Sequence, residues 1–305
     1  MPTAAVLTVC ALTLTGFGAG PLASPVARRL GPATATVALT ACSVAVAAST
    51  VTLAVLVAYV GSVGVLPTLH PADWSAAVIE RELPVPGWLA GAAGVLAALA
   101  CSRAGIHLLD VVRLGRTSAA AVGVLPATGR LVVVHDDAAL AFAVPRRGGR
   151  IVVSTGMLRL LSAPERRALL AHELAHLNSR HHVFTQLARL AAAVNPLVRP
   201  FADAVDLTVE RWADRAAARE VGDPVVVARA IGKAALARSG PTLPNALGAA
   251  HTDVLVRVAG LLEPRPHRRW PSVLLIAAAA LTVAGTLFVA LHVYGVVELA
   301  EVTGS

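Results

Sequence analysis

The chain has 305 residues, 56% of them hydrophobic and only 14% charged, with a mean hydropathy of +0.70. A soluble domain carries roughly 25% charged residues and a disordered chain lacks this apolar content, so the composition excludes both classes. The formal net charge of +8 rests on 25 Arg and one Lys, Lys233, dispersed among apolar segments with few aromatics. That dispersal suits a membrane-proximal surface and argues against direct nucleic-acid binding.

About 20 apolar residues cross a hydrocarbon core about 30 Å thick, and four stretches meet that length. The first is Thr3 to Leu22, in a segment with no charge before Arg28. The second lies near Val37 to Val63, and the third runs from about Pro86 to Ser102. The fourth runs from Ser272 to Val297, behind the basic and aromatic stop His267-Arg268-Arg269-Trp270. No Lys or Arg precedes the first apolar run, so it reads as a retained span and not as a cleaved signal peptide. The positive-inside rule then places Arg28 and Arg29 in the cytosol. The loop between spans two and three, with Asp73, Glu80 and Glu82 against Arg81, falls outside. Residues 110–270, with 22 basic against 13 acidic residues, fall inside. The expected multi-pass plasma-membrane protein has a three-span region at 1–109 and a cytosolic domain at 110–270. A fourth helix and short tail occupy 271–305, and both termini are external. Cys10, Cys42 and Cys101 lie in or at the ends of spans without disulfide or ligand spacing, and read as small packing residues.

Within the loop, Leu131-Val132-Val133-Val134, Ala141-Phe142-Ala143-Val144 and Ile151-Val152-Val153-Ser154 read as short strands, with a hairpin turn around Arg146-Arg147-Gly148-Gly149. Ser162-Ala163-Pro164-Glu165 is a helix start: a Ser N-cap, Pro in the first turn, and Glu three residues after the Ser. The helix it opens, Arg166 to about Leu177, carries His172-Glu173-Leu174-Ala175-His176. Histidines at i and i+4 project from one helical face about one turn apart, the spacing at which two imidazoles share a zinc ion. Glu173 lies about 100° round the helix, from where its carboxylate reaches an attacking water without being a ligand. A catalytic zinc takes three protein ligands. The third is sought on a second helix, Asp206 to Ala217, where Glu210 and Asp214 stand at i and i+4. One completes the metal and the other accepts a hydrogen bond from a ligand histidine. Asp203, Asp206, His181 and His182 compete for these places. A peptide substrate lying extended would pair with an edge strand, for which Ile151 to Ser154 is the candidate.

An apolar helix with H-E-L-A-H, followed about 34 residues later by E-x-x-A-D, resembles the gluzincin-type integral membrane metallopeptidases. Three spans, a cytosolic α+β zinc domain and a fourth span resemble the BlaR/MecR antirepressor family. So does the stretch Arg150-Ile151-Val152-Val153-Ser154-Thr155-Gly156-Met157-Leu158. The resemblance implies His172, His176 and Glu210 as zinc ligands, Glu173 as general base and Asp214 as the hydrogen-bond acceptor behind a ligand histidine. It also implies a cytosolic repressor of winged-helix type as the cleaved partner. Receptors of that family carry a penicillin-binding sensor domain after the last span. Here about eight residues follow it, so the resemblance does not extend to β-lactam acylation. Two alternatives stand beside this reading. One is a membrane quality-control protease similar to the HtpX type; the other is a membrane scaffold that holds a regulator without cleaving it.

Overall fold

The computed structural model describes residues 23–66, 70–71, 74–145, 148–239, 247–263 and 270–304. Helices α1 (Ala23–Arg29), α2 (Pro32–Gly61), α3 (Ala76–Glu82) and α4 (Gly87–Gly123) come first. Strands β1 (Leu131–Val134), β2 (Ala141–Val144) and β3 (Arg150–Ser154) follow. Then come α5 (Thr155–Leu160), α6 (Ala163–Asn178), α7 (His181–Val194), α8 (Arg199–Val221), α9 (Pro224–Ser239), α10 (Leu247–Leu262) and α11 (Trp270–Gly304).

Among the described residues, three helices are long and apolar enough to cross a membrane: α2, α4, and α11 over Val273–Thr303. They coincide with the second, third and fourth stretches expected from the sequence. The first expected stretch, Thr3 to Leu22, lies outside the described residues, as do Arg146, Arg147 and His267 to Arg269. The division at 109/110 falls inside one continuous helix, because α4 meets no proline and runs on to Gly123. Helix α2 packs between α4 and α11. At Gly61 a side chain would collide with Ala90 and Val85, so the missing Cβ is what lets α4 approach. The segment linking α2 to α4 folds onto the end of α11. Val60, Val63, Ile79 and Ala300 form a small core there, and Trp74 Nε1 donates to Glu301 Oε1 at 3.0 Å.

The sheet has the order β1-β3-β2, with β1 parallel and β2 antiparallel to β3. Strand β3 is therefore central. Ile151 to Ser154, expected as the edge, are all buried, as suits a run covered on both faces. Strands β1 and β2 are the two edges, and β2 is the one that borders the cavity between α6, α8, α9 and α10. One face of the sheet packs Val132, Val144 and Val152 on Val122 of α4, and the other packs Ile151 and Val153 toward α6 and α9. Arg150 Nη1 donates to the carbonyls of Val122 (2.6 Å) and Leu125 (3.2 Å), satisfying acceptors that the end of α4 leaves open.

Helix α6 starts as the sequence indicates. Ser162 N donates to Glu165 Oε2 at 2.8 Å, and Lys233 Nζ donates to the same oxygen at 2.7 Å. Helices α7 and α8 form a hairpin that lies along α2. Ala188, Ala191, Phe201 and Val205 are buried in one core with Ala27, Leu39, Cys42 and Val46. The segment between the zinc-type motif and Glu210 is thus packed on a candidate span and does not stand away from it.

Candidate metal centre

The i, i+4 spacing on α6 brings the two imidazoles of the motif edge to face, with His172 Nε2 and His176 Nε2 3.0 Å apart. Helix α8 crosses α6 and delivers Glu210, whose carboxylate oxygens lie 3.5 Å from each of those nitrogens. The ligand atoms of His172, His176 and Glu210 all lie within 4.8 Å of one another and could hold a metal ion. The donor set fits one: two imidazole nitrogens pointed at each other repel as lone pairs unless a cation or proton lies between them.

The surroundings orient these donors. His172 Nδ1 donates to Asp214 Oδ1 at 3.0 Å, and Asp214 is 1% exposed, one turn beyond Glu210 on α8. Arg257 of α10 grips Asp214 with two bonds, Nε to Oδ2 at 2.8 Å and Nη2 to Oδ1 at 2.7 Å, and its Nη1 lies 3.0 Å from Glu210 Oε2. One guanidinium thus neutralises both carboxylates. The sequence reading missed Arg257. Its signal was a lone Arg in the apolar run Val254 to Leu262, where a charge persists only with a partner.

His181 was weighed as a competing ligand beyond the motif. The chain turns back at Arg180, the one non-glycine residue with positive φ (51°) among the described residues. That turn sets the His181 ring behind His176, with the two Nδ1 atoms 3.1 Å apart, and against Trp212. Its Nδ1 faces the far side of the His176 ring, so it supports that ring instead of joining the donor group. Asp206 is taken by Arg189 at 2.9 Å and Asp203 is exposed, so neither acid competes at the centre.

In the metal-free site, burial lowers the proton affinity of His172, but the bonds to Asp214 and Glu210 outweigh it and push its pKa up to about 10. Burial and the neighbouring positive His172 hold His176 down to about 4. Burial opposes the charge on Glu210, yet the bond from His172, with Arg257 and His176 nearby, holds its carboxyl below the usual range. Glu173 is buried and lines the same cavity as the donors. That cavity, about 890 Å³, opens between α6, α8, α9 and α10 and is bordered by Ala141, Phe142 and Ala143 of the edge strand β2.

Comparison with known proteins finds a family match over the stretch that carries His172 and His176. Residues 110–195 match the model of Peptidase family M48. The Protease HtpX homolog of Paraburkholderia phytofirmans is 30% identical over 152 residues, covering 38% of this chain and 53% of that relative. The Protease HtpX homolog of Burkholderia multivorans is 31% identical over 139 residues, covering 34% and 49%. A third, from Burkholderia cenocepacia, is 37% identical over 71 residues, covering 22% and 25%. The chain thus spans about half the length, or less, of these curated relatives. No solved structure matches it. The family match and the relatives support a membrane metallopeptidase.

Two outcomes follow from the geometry. His172 is protonated in the metal-free site between about pH 7 and 9, because its pKa is raised to about 10, and a metal ligand must be neutral. Adding Zn²⁺ to metal-free protein at pH 8 should therefore release about one proton, read with an indicator dye, and the release should fade above about pH 10. Arg257→Leu leaves Glu210 beside the buried Asp214 with no guanidinium to neutralise them, and should weaken metal affinity about 10–100-fold in a chelator competition.

Proposed function

We propose that this chain is a zinc endopeptidase of the membrane, with His172, His176 and Glu210 as ligands and Glu173 as general base. The observation that carries the reading is the convergence of two Nε2 atoms and one carboxylate from two helices on one point in a cavity. Bound zinc would supply Lewis-acid polarisation of the scissile carbonyl. The rest falls to the chain. Glu173 accepts the proton of the attacking water and returns it to the leaving amine. Asp214 keeps the proton of His172 on Nδ1, so that Nε2 is the free donor. An extended substrate pairs antiparallel with the free side of β2, with Phe142 at the cavity rim.

The similarity to HtpX homologs favours broad, quality-control cleavage of membrane-associated polypeptides. A second reading, regulated cleavage of a cytosolic repressor as in BlaR/MecR-like proteins, is equally compatible with the placement of α6 between α4 and α11. In both, the site faces the cytosol and the termini face out, following the excess of basic residues in 110–270.

Glu173→Gln should keep the metal and lower peptide cleavage about 10²–10⁴-fold. Loss of metal in this variant would assign Glu173 a different role. The inactive variant also serves as a trap in cells: many membrane proteins held by it support the quality-control reading, and one DNA-binding repressor supports the regulatory one. Unchanged cleavage by the metal-loaded Glu173→Gln protein would point to another base, and the absence of metal-dependent peptide cleavage by the unsubstituted protein would overturn the protease assignment. A reporter fused after Ser305 should read external and one inserted within residues 115–125 cytosolic; the reverse would place the site outside.

A further inference from the structure

We infer that the turn joining α7 to α8, residues Asn195 to Pro200, is inserted in the hydrocarbon of the membrane leaflet on the metal-site side, as a re-entrant hairpin in contact with lipid acyl chains. The depth comes from one long-range bond. Asn195 Nδ2 donates to Thr50 Oγ1 at 3.0 Å, which fixes the tip of the hairpin against the candidate span α2. At about 1.5 Å per residue, Thr50 stands about 27 Å from the Pro32 end of α2 and about 16 Å from the Gly61 end. A hydrocarbon slab about 30 Å thick therefore contains Thr50 wherever it is set along this helix. Its face on the Pro32 side lies at least about 12 Å short of Asn195. The metal centre is on that side, because Glu210 is flanked by Thr208, bonded to Thr36, and by Arg211, bonded to the carbonyl of Ala27.

The turn is chemically fitted to a place without water. A chain reversal in hydrocarbon must satisfy every backbone N–H internally. Here Asn195 N donates to Ala191 O (2.8 Å), Leu197 N to the Asn195 side-chain oxygen (3.0 Å), and Val198 N to Asn195 O (3.1 Å). Arg199 N donates to Pro196 O. Pro196 and Pro200 have no N–H to satisfy. Each donor of the reversal is either paired or absent, a closure that an aqueous loop does not need. The outward surface at the tip is Pro196, Leu197 and Arg199, with Leu187 and Val183 exposed further down α7. Apart from Arg199 at the tip, the charged groups lie nearer the surface, the first being Asp203, exposed about one turn along α8 from Arg199. Arg189 and Asp206 pair with each other about 9 Å nearer the surface than Asn195, and Arg199 has the reach to bring its guanidinium toward the headgroups.

The test uses the unmodified protein reconstituted in phosphatidylethanolamine–phosphatidylglycerol vesicles that contain a lipid with a mid-chain diazirine. After illumination and trypsin, the expected adducts fall in the peptide Leu190–Arg211, which stays whole across Arg199–Pro200, and localise at or next to Pro196 and Leu197. Peptides from α4 should be labelled as well, and the peptide Glu220–Arg229 should not. A parallel sample carries the diazirine on the headgroup; there the adducts should move down to the neighbourhood of Arg189. Labelling of α4 without Leu190–Arg211 in the acyl-chain sample overturns the inference. Labelling of Pro196 and Leu197 by the headgroup probe alone does so too, because it would put the turn at the surface.

Discussion

The structure turns on holding a carboxylate from one helix against two imidazoles from another. Helix α6 can supply His172 and His176 by its own periodicity, but no third donor follows from that helix, so Glu210 has to arrive on α8 at a defined depth. Three groups that all seek the same point do not settle there unaided. Asp214 takes the far nitrogen of His172, and Arg257 takes both carboxylates, so the charges alternate across the crossing of α6 and α8. Buried charges are costly unless paired, and here every charge in the chain of contacts has a partner of opposite sign.

That crossing is anchored to the membrane segments. On either side of Glu210, Thr36 Oγ1 donates to Thr208 Oγ1 at 2.9 Å, and Arg211 Nη1 donates to Ala27 O at 2.7 Å. Arg211 is itself buried, so its bond to a backbone carbonyl of α1 leaves little freedom. The opposite border of the cavity is tied elsewhere. Strand β3 reaches the end of α4 through Arg150, and Val122 of α4 lies under the sheet. One wall of the site is thus fastened to α1 and α2, and the sheet to α4. The cavity lies between a wall held by α1 and α2 and a sheet held by α4, and α2 and α4 meet closely at Gly61 and Ala90.

The hairpin of α7 and α8 resolves a conflict in the sequence. Between His176 and Glu210 the chain is apolar yet carries Arg180, Arg189, Arg199, Asp203 and Asp206, too many charges for a span and too few for a free surface helix. Packing its small residues, Ala188, Ala191 and Ala202, onto α2 buries the apolar face, and pairing Arg189 with Asp206 covers part of the charge.

Local pattern alone determined much of this protein. The three described apolar helices, the three strands, the capped start of α6 at Ser162 and the i, i+4 placement of His172 and His176 are all set by residues within one or two turns of each other. So are Glu210 and Asp214 as a pair on one helix. Several features only the tertiary structure decided, because each is a relation between distant segments. The sheet order puts β3 at the centre and makes β1 and β2 the edges, a matter of pairing that three similar strands do not encode. The left-handed Arg180 returns His181 to His176, where helical periodicity would have carried it away. Arg257 comes from a helix 43 residues beyond Asp214, and Asn195 meets Thr50 across 145 residues. No periodicity spans such distances. Those contacts exist because buried charges and buried amides must find partners, and only the folded chain determines which partners are within reach.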